Sequence, residues 1–343
     1  MQSRNAQSAA PGLESEPREF RTHPAITRRR KLLVLAVVML GNAACGGADE
    51  EFSGKRAPRF EARSPAIPAP RIALVLGSGG HRGFAHIGVL KALTEKGIRP
   101  DLIIGSSVGA VVGALYAGGM SATEVEKLAY SLNSREFFEF RTLLGKPATG
   151  GAVQDFVNKH VQGRAIEELP IAFAAAATRV RDSSLVLFNR GDTGIAVRAS
   201  AASPGGFEPV RISGEAYVDG DVASPVPIRA ARRMGARVVI AVDVSAYVQG
   251  TPSGVPAEWI EKDARRATQV AAEAPEADVL IHPDIGYYAG YSEAYRRRVI
   301  AIAYSAARAR LPAVLAAVAR TTEARAAAHA EEATPKTTGA ASK

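Results

Sequence analysis

The chain has 343 residues, 47% of them hydrophobic, which fits a globular protein with a sizeable core and excludes a disordered or fibrous chain. Its formal net charge is +9, from 43 basic and 34 acidic residues, and residues 1–44 contribute +4 of it through seven Arg or Lys against three Glu. The remainder carries no basic cluster interleaved with aromatic residues, so nucleic acid is not an expected partner. Cys45 is the single cysteine, which excludes an intramolecular disulfide.

The N-terminal segment has the pattern of an export signal. Four basic residues at 28–31 precede an apolar run at 32–40, and small residues then lead to Cys45. A positive block, a short apolar stretch and small residues are typical of a signal peptide, and a bilayer span needs about 20 apolar residues. We predict a signal over residues 1–45, lipidation of Cys45, and export as a membrane-anchored lipoprotein facing the periplasm or the cell exterior. The alternative, a buried helix, explains poorly why four charges adjoin the apolar run.

The segments that flank the body are predicted to be unstructured. Residues 46–70 are rich in Gly, Pro, Ala and charge, which indicates a flexible tether. Residues 328–343 contain Ala, Thr, Glu and Lys without an apolar pattern, and we expect a disordered tail there.

The body alternates strands with helices. Apolar runs at 72–76 and 102–104 indicate buried strands, and each is followed by a predicted helix, at 84–96 and 108–117. The remaining predictions are strands at 171–178, 184–188, 216–218, 237–243 and 278–281, and helices around 258–272 and 293–320. This alternation predicts an α/β fold with a mainly parallel sheet between helices. We expect one domain over residues 71–285, with C-terminal helices over 286–327 packed on it.

The pentapeptide 105–109 places Ser107 between a strand and a helix. A sharp turn of this kind exposes the serine hydroxyl, and glycines on either side prevent clashes with neighbouring backbone. The helix N-terminus adds positive potential where an oxyanion would form. The pattern predicts that Ser107 is the nucleophile of an acyl-ester hydrolase. The alternatives are Ser106 as the nucleophile, or a tight turn with an idle serine.

A second glycine-rich turn, at residues 77–83, also follows a strand. A dinucleotide fingerprint fails on spacing because G-x-G-x-x-G would need glycine at Arg82, and no phosphate-loop string with lysine occurs. The other interpretation is an oxyanion hole built from backbone N–H groups near Gly79 and Gly80. Both turns should lie at the carboxyl edge of the sheet and face one crevice.

The serine also needs a base, and the residues alone leave it open. His282 follows a predicted strand and is the best candidate among the downstream histidines, since His160 lies in a polar helical segment and His329 in the predicted tail. The acidic alternative is Asp219, which ends a short strand before Gly220. Partial burial would raise its pKa and make it a stronger base. Asp219 could equally be an ordinary turn residue.

Three motifs stand in one order: G-G-x-R-G at 79–83, G-x-S-x-G at 105–109 and D-G at 219–220. Together they resemble the patatin-like phospholipases, in particular the bacterial branch related to neuropathy target esterase. Supporting stretches are Ala85–Leu90, Ala199–Pro204 with Phe207 and Pro209, and Pro225–Pro227. The resemblance covers residues 71–285 and implies a three-layer α/β/α sandwich.

The resemblance implies a dyad in which Ser107 attacks the ester and Asp219 takes its proton, through an acyl-enzyme that water hydrolyses. The oxyanion hole that it implies consists of Gly79, Gly80, His81 and Arg82. The implied substrate is a phospholipid or another acyl ester, with neither metal nor cofactor, and the predicted lipid anchor would hold the enzyme at a membrane surface. Family members usually have D-G-G or D-G-A, whereas Asp221 follows here. This second carboxylate would raise the pKa of Asp219 further, and it is itself an alternative base.

Two other classes of function remain as alternatives. One is a nucleotide-binding module that uses the turn at 77–83, and the other is a surface lipoprotein that keeps the fold without the activity. The Gly- and Pro-rich stretch at 250–256 is either a mobile flap or a plain loop.

Overall fold

The computed structural model of the protein describes residues 50–62, 71–133 and 145–333, with the side chains of the last twelve excepted. The predicted signal, Cys45 and the tail beyond residue 333 lie outside the described residues. The strands are β1 (Glu51–Phe52), β2 (Ile72–Leu76), β3 (Leu102–Ser106), β4 (Ala172–Arg179), β5 (Leu185–Phe188), β6 (Val210–Ile212), β7 (Glu215–Asp219), β8 (Val238–Val242) and β9 (Val279–Ile281). The α-helices are α1 (Ala85–Glu95), α2 (Val108–Ala117), α3 (Ala122–Ser131), α4 (Gly151–His160), α5 (Thr193–Ser200), α6 (Ile228–Arg233), α7 (Ala257–Glu273) and α8 (Glu293–Ala333).

The described strands form one sheet in the order β1-β6-β7-β4-β3-β2-β8-β9, with β5 paired to β4. The central strands β4, β3, β2, β8 and β9 are parallel to one another, and β5, β6 and β7 contribute the antiparallel pairs. The predicted α/β fold with a mainly parallel sheet is confirmed. Parallel strands are buried on both faces, which explains why β2 and β8 are continuous apolar runs.

Apolar clusters cover both faces of the sheet. Alternate residues of β2 point to opposite faces, so that Leu74 and Leu76 join the larger cluster with α1, α2 and α8, while Ala73 and Val75 join a smaller one with α6. The arrangement is therefore helix layer, sheet, helix layer. Its consequence for function is that β2 and β3 end side by side, with the two glycine-rich turns at the same edge.

Helix α8 packs closely on α1. Its residues Val299, Ala303 and Ala307 are buried, and Gly88 of α1 faces its backbone. A Cβ atom at Gly88 would lie 2.1 Å from the carbonyl oxygen of Ile300, so only glycine permits this approach. Residues 293–321 are also long and apolar enough to cross a membrane by length and composition.

Two predictions at the ends of the body are wrong for the residues that the structure describes. Residues 50–62 of the predicted tether are folded onto the domain: β1 pairs with β6, Ala57 is buried, and the Asn189 amide donates to the Glu61 carbonyl at 2.8 Å. Backbone pairing at a sheet edge orders this polar segment, whose composition alone indicated flexibility. At the other end α8 is one helix that continues to Ala333, past the predicted boundary at 327, because alanine-rich sequence favours helix.

Candidate active site

Ser107 lies on the sharp turn between β3 and α2. Its backbone has φ 55° and ψ −124°, a conformation that non-glycine residues rarely adopt, and its N–H donates to the Ser200 hydroxyl at 2.9 Å. Gly109 lets this turn sit against β2, because a Cβ atom there would lie 2.1 Å from the Leu76 carbonyl oxygen. The strained turn is thus held by the core. The other serine considered, Ser106, is fully buried, and its hydroxyl donates to the Ser224 carbonyl at 3.3 Å.

The hydroxyl of Ser107 donates a hydrogen bond to Asp219 Oδ2 at 2.7 Å. The sheet register produces this contact, since Ser106 of β3 pairs with Ala176 of β4 and Asp219 of β7 pairs with Ala177 on the other side of β4. The second carboxylate oxygen of Asp219 accepts the backbone N–H of Asp221 at 2.8 Å. Both carboxylate oxygens are therefore held by hydrogen bonds. Asp219, which could have been an ordinary turn residue by sequence, contacts the Ser107 hydroxyl directly.

The histidines that were candidate bases are placed elsewhere. His282 stacks on Tyr247 with ring centroids 4.0 Å apart, and its Nε2 lies 3.0 Å from the Ser245 carbonyl oxygen. His160 Nδ1 lies 2.8 Å from the carbonyl oxygen of Phe156 within α4. The side chain of His329 is outside the described residues. Neither described histidine is brought to the Ser107 hydroxyl.

The carboxyl of Asp219 is only 3% exposed. Burial, reinforced by the neighbouring Asp221 carboxylate, raises the pKa of Asp219 to about 7, while hydrogen bonds from the Asp221 N–H and the Ser107 hydroxyl favour the ionised form. A carboxylate that titrates near neutral pH is a far better proton acceptor than an ordinary aspartate.

Asp221 belongs to a separate polar cluster beside the dyad. Arg266 of α7 donates to both of its carboxylate oxygens, through Nε at 2.8 Å and Nη2 at 2.7 Å, and the Ser78 hydroxyl donates to Oδ1. Burial opposes ionisation of Asp221, but the Arg266 guanidinium and these hydrogen bonds outweigh it and lower the pKa of this carboxyl. An aspartate fixed as an anion in a bidentate ion pair is a poor candidate for the base.

The glycine-rich turn faces the same cavity. Gly79, Gly80 and Arg82 line it together with Ser107 and Asp219, and Gly80 begins a short 3-10 turn with φ 54°. The Arg82 side chain donates to the Tyr287 carbonyl. The fourth predicted residue, His81, instead packs its ring 3.9 Å from that of Tyr291, and burial lowers its pKa to about 4.

His86 contacts the glycine-rich turn at residues 77–83 from the core of the protein. The side chain is fully buried, and its Nε2 lies 2.8 Å from the carbonyl oxygen of Gly77, to which it donates. Burial lowers the pKa of His86 to about 4, so the ring is neutral at physiological pH.

The cavity at the dyad has a volume of about 450 Å³. One wall is apolar and the other polar. The apolar wall is formed by Val108, Val111, Val153 and Phe207. The polar wall is formed by α7 and the loop before α8, with Trp259, Lys262, Asp263, Arg266, Tyr287 and Tyr288. The described residues contain no group of three or more His, Cys, Asp or Glu that could hold a metal ion.

Sequence reasoning missed three residues of the site: Ser78, Ser200 and Arg266. Ser78 and Ser200 lie within recognised stretches of sequence, but nothing in the sequence distinguishes them from the residues beside them. Arg266 is 45 residues from Asp221 on a charged helix, and no spacing rule connects them. Its position on the inner side of α7, opposite exposed Glu and Arg, is visible only in the folded chain.

Fold and site together define a mixed α/β protein with a serine–carboxylate pair beside a glycine-rich turn at one edge of its sheet. The family model for patatin-like phospholipases matches residues 74–232, so the chain contains a patatin-like phospholipase domain.

Similar proteins carry the same domain. An uncharacterized NTE family protein of Mycobacterium tuberculosis is 38% identical over 206 residues, 57% of this chain and 56% of that protein. The human patatin-like phospholipase domain-containing protein 6 is 34% identical over 57% of this chain and 15% of its own length. The lysophospholipase NTE1 of Coccidioides immitis is 34% identical over 53% of this chain and 12% of its own length. The match thus spans little more than half of the mycobacterial relative and a small part of the others.

Among solved structures, VipD from Legionella pneumophila aligns with a TM-score of 0.43 and 14% identity, over 74% of this chain and 70% of that chain.

Proposed function

We propose that the protein is a serine hydrolase that cleaves acyl esters of phospholipids or lysophospholipids with a Ser107–Asp219 dyad. The observation that carries the proposal is the 2.7 Å hydrogen bond from the Ser107 hydroxyl to a buried carboxyl whose pKa is raised to about 7. The patatin-like domain and the relative named as a lysophospholipase support the lipid ester as the substrate class.

The proposed reaction has two steps. Ser107 Oγ forms a bond to the ester carbonyl carbon as its proton passes to Asp219, and the alcohol leaves with that proton when the carbon–oxygen bond breaks. Water then attacks the acyl carbon of the acyl-enzyme and gives a proton to Asp219. The bond from that carbon to Ser107 Oγ breaks as Asp219 returns the proton to Oγ, which releases the fatty acid and regenerates both residues. Backbone N–H groups at Gly79 and Gly80 would stabilise the oxyanion in both steps, aided by the positive N-terminus of α2.

A fluorophosphonate probe tests the nucleophile. We expect wild-type protein to be labelled on Ser107 and to release fatty acid from lysophosphatidylcholine, and Ser107→Ala to do neither. His282→Gln serves as the matched control and should keep both properties. Equal labelling of Ser107→Ala would refute the assignment, and loss of activity in His282→Gln with intact folding would restore the histidine as the base.

We also propose, from the sequence pattern alone, that the protein is exported and anchored in a membrane by a lipid on Cys45. Growth with an alkyne-tagged fatty acid should label the wild-type protein and not Cys45→Ala, and fractionation should place the labelled form with membranes. Unlabelled wild-type protein, or one that retains residues 1–44, would contradict this proposal.

A further inference from the structure

A second cavity, of about 730 Å³, adjoins the first at Asp219. It shares five lining residues with the first cavity, Asp219 and Lys262 among them. Its outer wall is the side of α7 that carries Arg265 and Gln269. A molecule whose ester lies at Ser107 can therefore reach into both cavities at once.

The second cavity contains two cations without a short ion pair to a described residue, although the charge of Lys262 helps to lower the pKa of Asp221. Arg266 is committed to Asp221 by two hydrogen bonds. Lys262 is in no ion pair with a described residue, and Arg265 has only Glu261 at 3.9 Å, with both of those side chains about two-thirds exposed or more. Such an exposed pair at long distance contributes little. Lys262 and Arg265 are thus the cations available to a ligand anion.

The opposite side of the dyad is apolar. Val108 and Val111 line the first cavity and also a small space beyond it, of about 40 Å³, whose other walls include Phe84, Leu128 and Phe156. The polarity therefore changes across Ser107, from aliphatic and aromatic carbon on one side to charged groups on the other, where Lys262 and Arg265 lie beside the Arg266–Asp221 ion pair. An ester lying across this boundary places its acyl chain against Val111 and its alcohol part beside Lys262.

We infer that the second cavity binds the phosphodiester of the substrate's alcohol part, with Lys262 and Arg265 as the residues that recognise it. This inference rests on the proposed hydrolase function and gives it a direction: the acyl chain lies on the α2 side and the glycerophosphate part on the α7 side. A phosphodiester fits because its two unesterified oxygens can accept from both cations.

The test compares two substrates that differ only in the phosphate. A short-chain lysophosphatidylcholine and the monoacylglycerol with the same acyl chain are assayed below their critical micelle concentrations, so that surface binding does not contribute. In Lys262→Gln/Arg265→Gln, the ratio of kcat/KM for the lysophospholipid to kcat/KM for the monoacylglycerol should fall about tenfold, as expected for loss of charge-assisted hydrogen bonds. Arg233→Gln, an exposed arginine on α6, is the matched control and should leave the ratio unchanged. An unchanged ratio in the double variant overturns the inference.

Inhibition distinguishes a lipid headgroup from free phosphate. Glycerophosphocholine should inhibit the wild type competitively, at lower concentration than inorganic phosphate does, and should inhibit the double variant more weakly. Stronger inhibition by inorganic phosphate than by glycerophosphocholine would assign the cavity to a free anion and overturn the inference. Failure of the underlying function is separately visible, because wild-type protein would then hydrolyse neither ester and Ser107 would stay unlabelled.

Discussion

Two helices line the same cavity and are held in opposite ways. Every residue of α2 is buried, so this helix is fixed by packing against the sheet and its neighbours. Helix α7 has 17 residues, of which only Val270 is buried. It is attached mainly by polar contacts: Arg266 binds Asp221, Gln269 donates to the Val222 carbonyl at 3.0 Å, and Glu273 accepts from the Ser224 hydroxyl at 2.8 Å.

The difference places the proposed nucleophile and the proposed substrate contacts on two helices that are held in different ways. Ser107, the proposed nucleophile, lies on a strained turn at the start of α2, a helix that cannot move without disturbing the core. The wall that carries Lys262, Arg265 and Trp259 lies on an element whose outward residues contact solvent, where substitutions rarely cost more than about 0.5 kcal/mol. Under the proposed function, substitutions on α7 should change substrate preference while Ser107 keeps its geometry.

The largest effect is expected from Asp219→Asn, on the core side. The amide has the same shape but cannot accept the proton of Ser107, so kcat should fall by about 10³-fold, within the range for loss of a general base. Steady-state hydrolysis of a lipid ester measures this, with circular dichroism to verify the fold. Turnover within tenfold of the wild type would point to another base and remove the dyad from the mechanism.

Gly109→Ala should disturb the close contact between β2 and the turn that carries Ser107, the proposed nucleophile. The new Cβ atom would lie 2.1 Å from the Leu76 carbonyl oxygen, and the turn or β2 must shift. We expect the free energy of unfolding to fall by about 3 kcal/mol, as for other overpacked cores. Denaturant titration measures it. The matched control is Gly151→Ala at the start of α4, whose Cβ atom would meet only the Thr149 hydroxyl at 3.5 Å and should change stability by less than about 0.5 kcal/mol.

Arg266→Gln tests how the α7 wall influences the dyad. Asp219 must be ionised to accept a proton, so activity should rise with pH through about 7. The positive charge of Arg266 lowers the pKa of Asp219, and removing it should shift the midpoint of this rise to higher pH. Arg266→Lys keeps the charge and should restore much of the original midpoint. Identical profiles for wild type and Arg266→Gln would show that α7 leaves the base unaffected.

The smallest effect is expected for Ile260→Ala on α7. This side chain is 40% exposed, and its truncation should change the free energy of unfolding by no more than about 0.5 kcal/mol. The same measurement on Leu115→Ala, whose side chain in α2 is buried, should give a loss of about 3 kcal/mol. Comparable losses of unfolding free energy at the two sites would mean that α2 and α7 are held equally firmly, and would refute the difference between them.

The sequence predicts the central part of this fold well because that part has strong local signals. Helix α2 spans the predicted residues, 108–117, and β2 the predicted strand, 72–76. Each is a continuous apolar run that ends at a glycine, Gly77 after β2 and Gly118 after α2, and such runs indicate buried elements. The edge strands β1 and β6 escaped prediction, because two or three residues in a polar context show no period.

The residues of the candidate site also differ in how strong a local sequence signal they have. Ser107 and the glycine-rich turn sit in contiguous motifs, so their positions follow from the sequence. The partner of the serine does not, because the residues alone gave His282 and Asp219 comparable claims. The register of β3, β4 and β7 decides which side chain reaches the hydroxyl, and register is set by pairing between segments distant in the chain. The contact between Arg266 and Asp221 has no local signal at all.

The position of β2 in the sheet also sets an order of events during synthesis. β2 lies between β3 and β8, the Gly77 N–H donates to the Val242 carbonyl at 2.9 Å, and Val244 packs where a side chain at Gly79 would be. Val242 follows Gly77 by 165 positions (242 − 77). At a synthesis rate of roughly 5–20 residues per second, this delay is on the order of ten seconds or more. A nascent chain that already contains both Ser107 and Asp219 therefore still lacks β8, the strand that holds its glycine-rich turn in place.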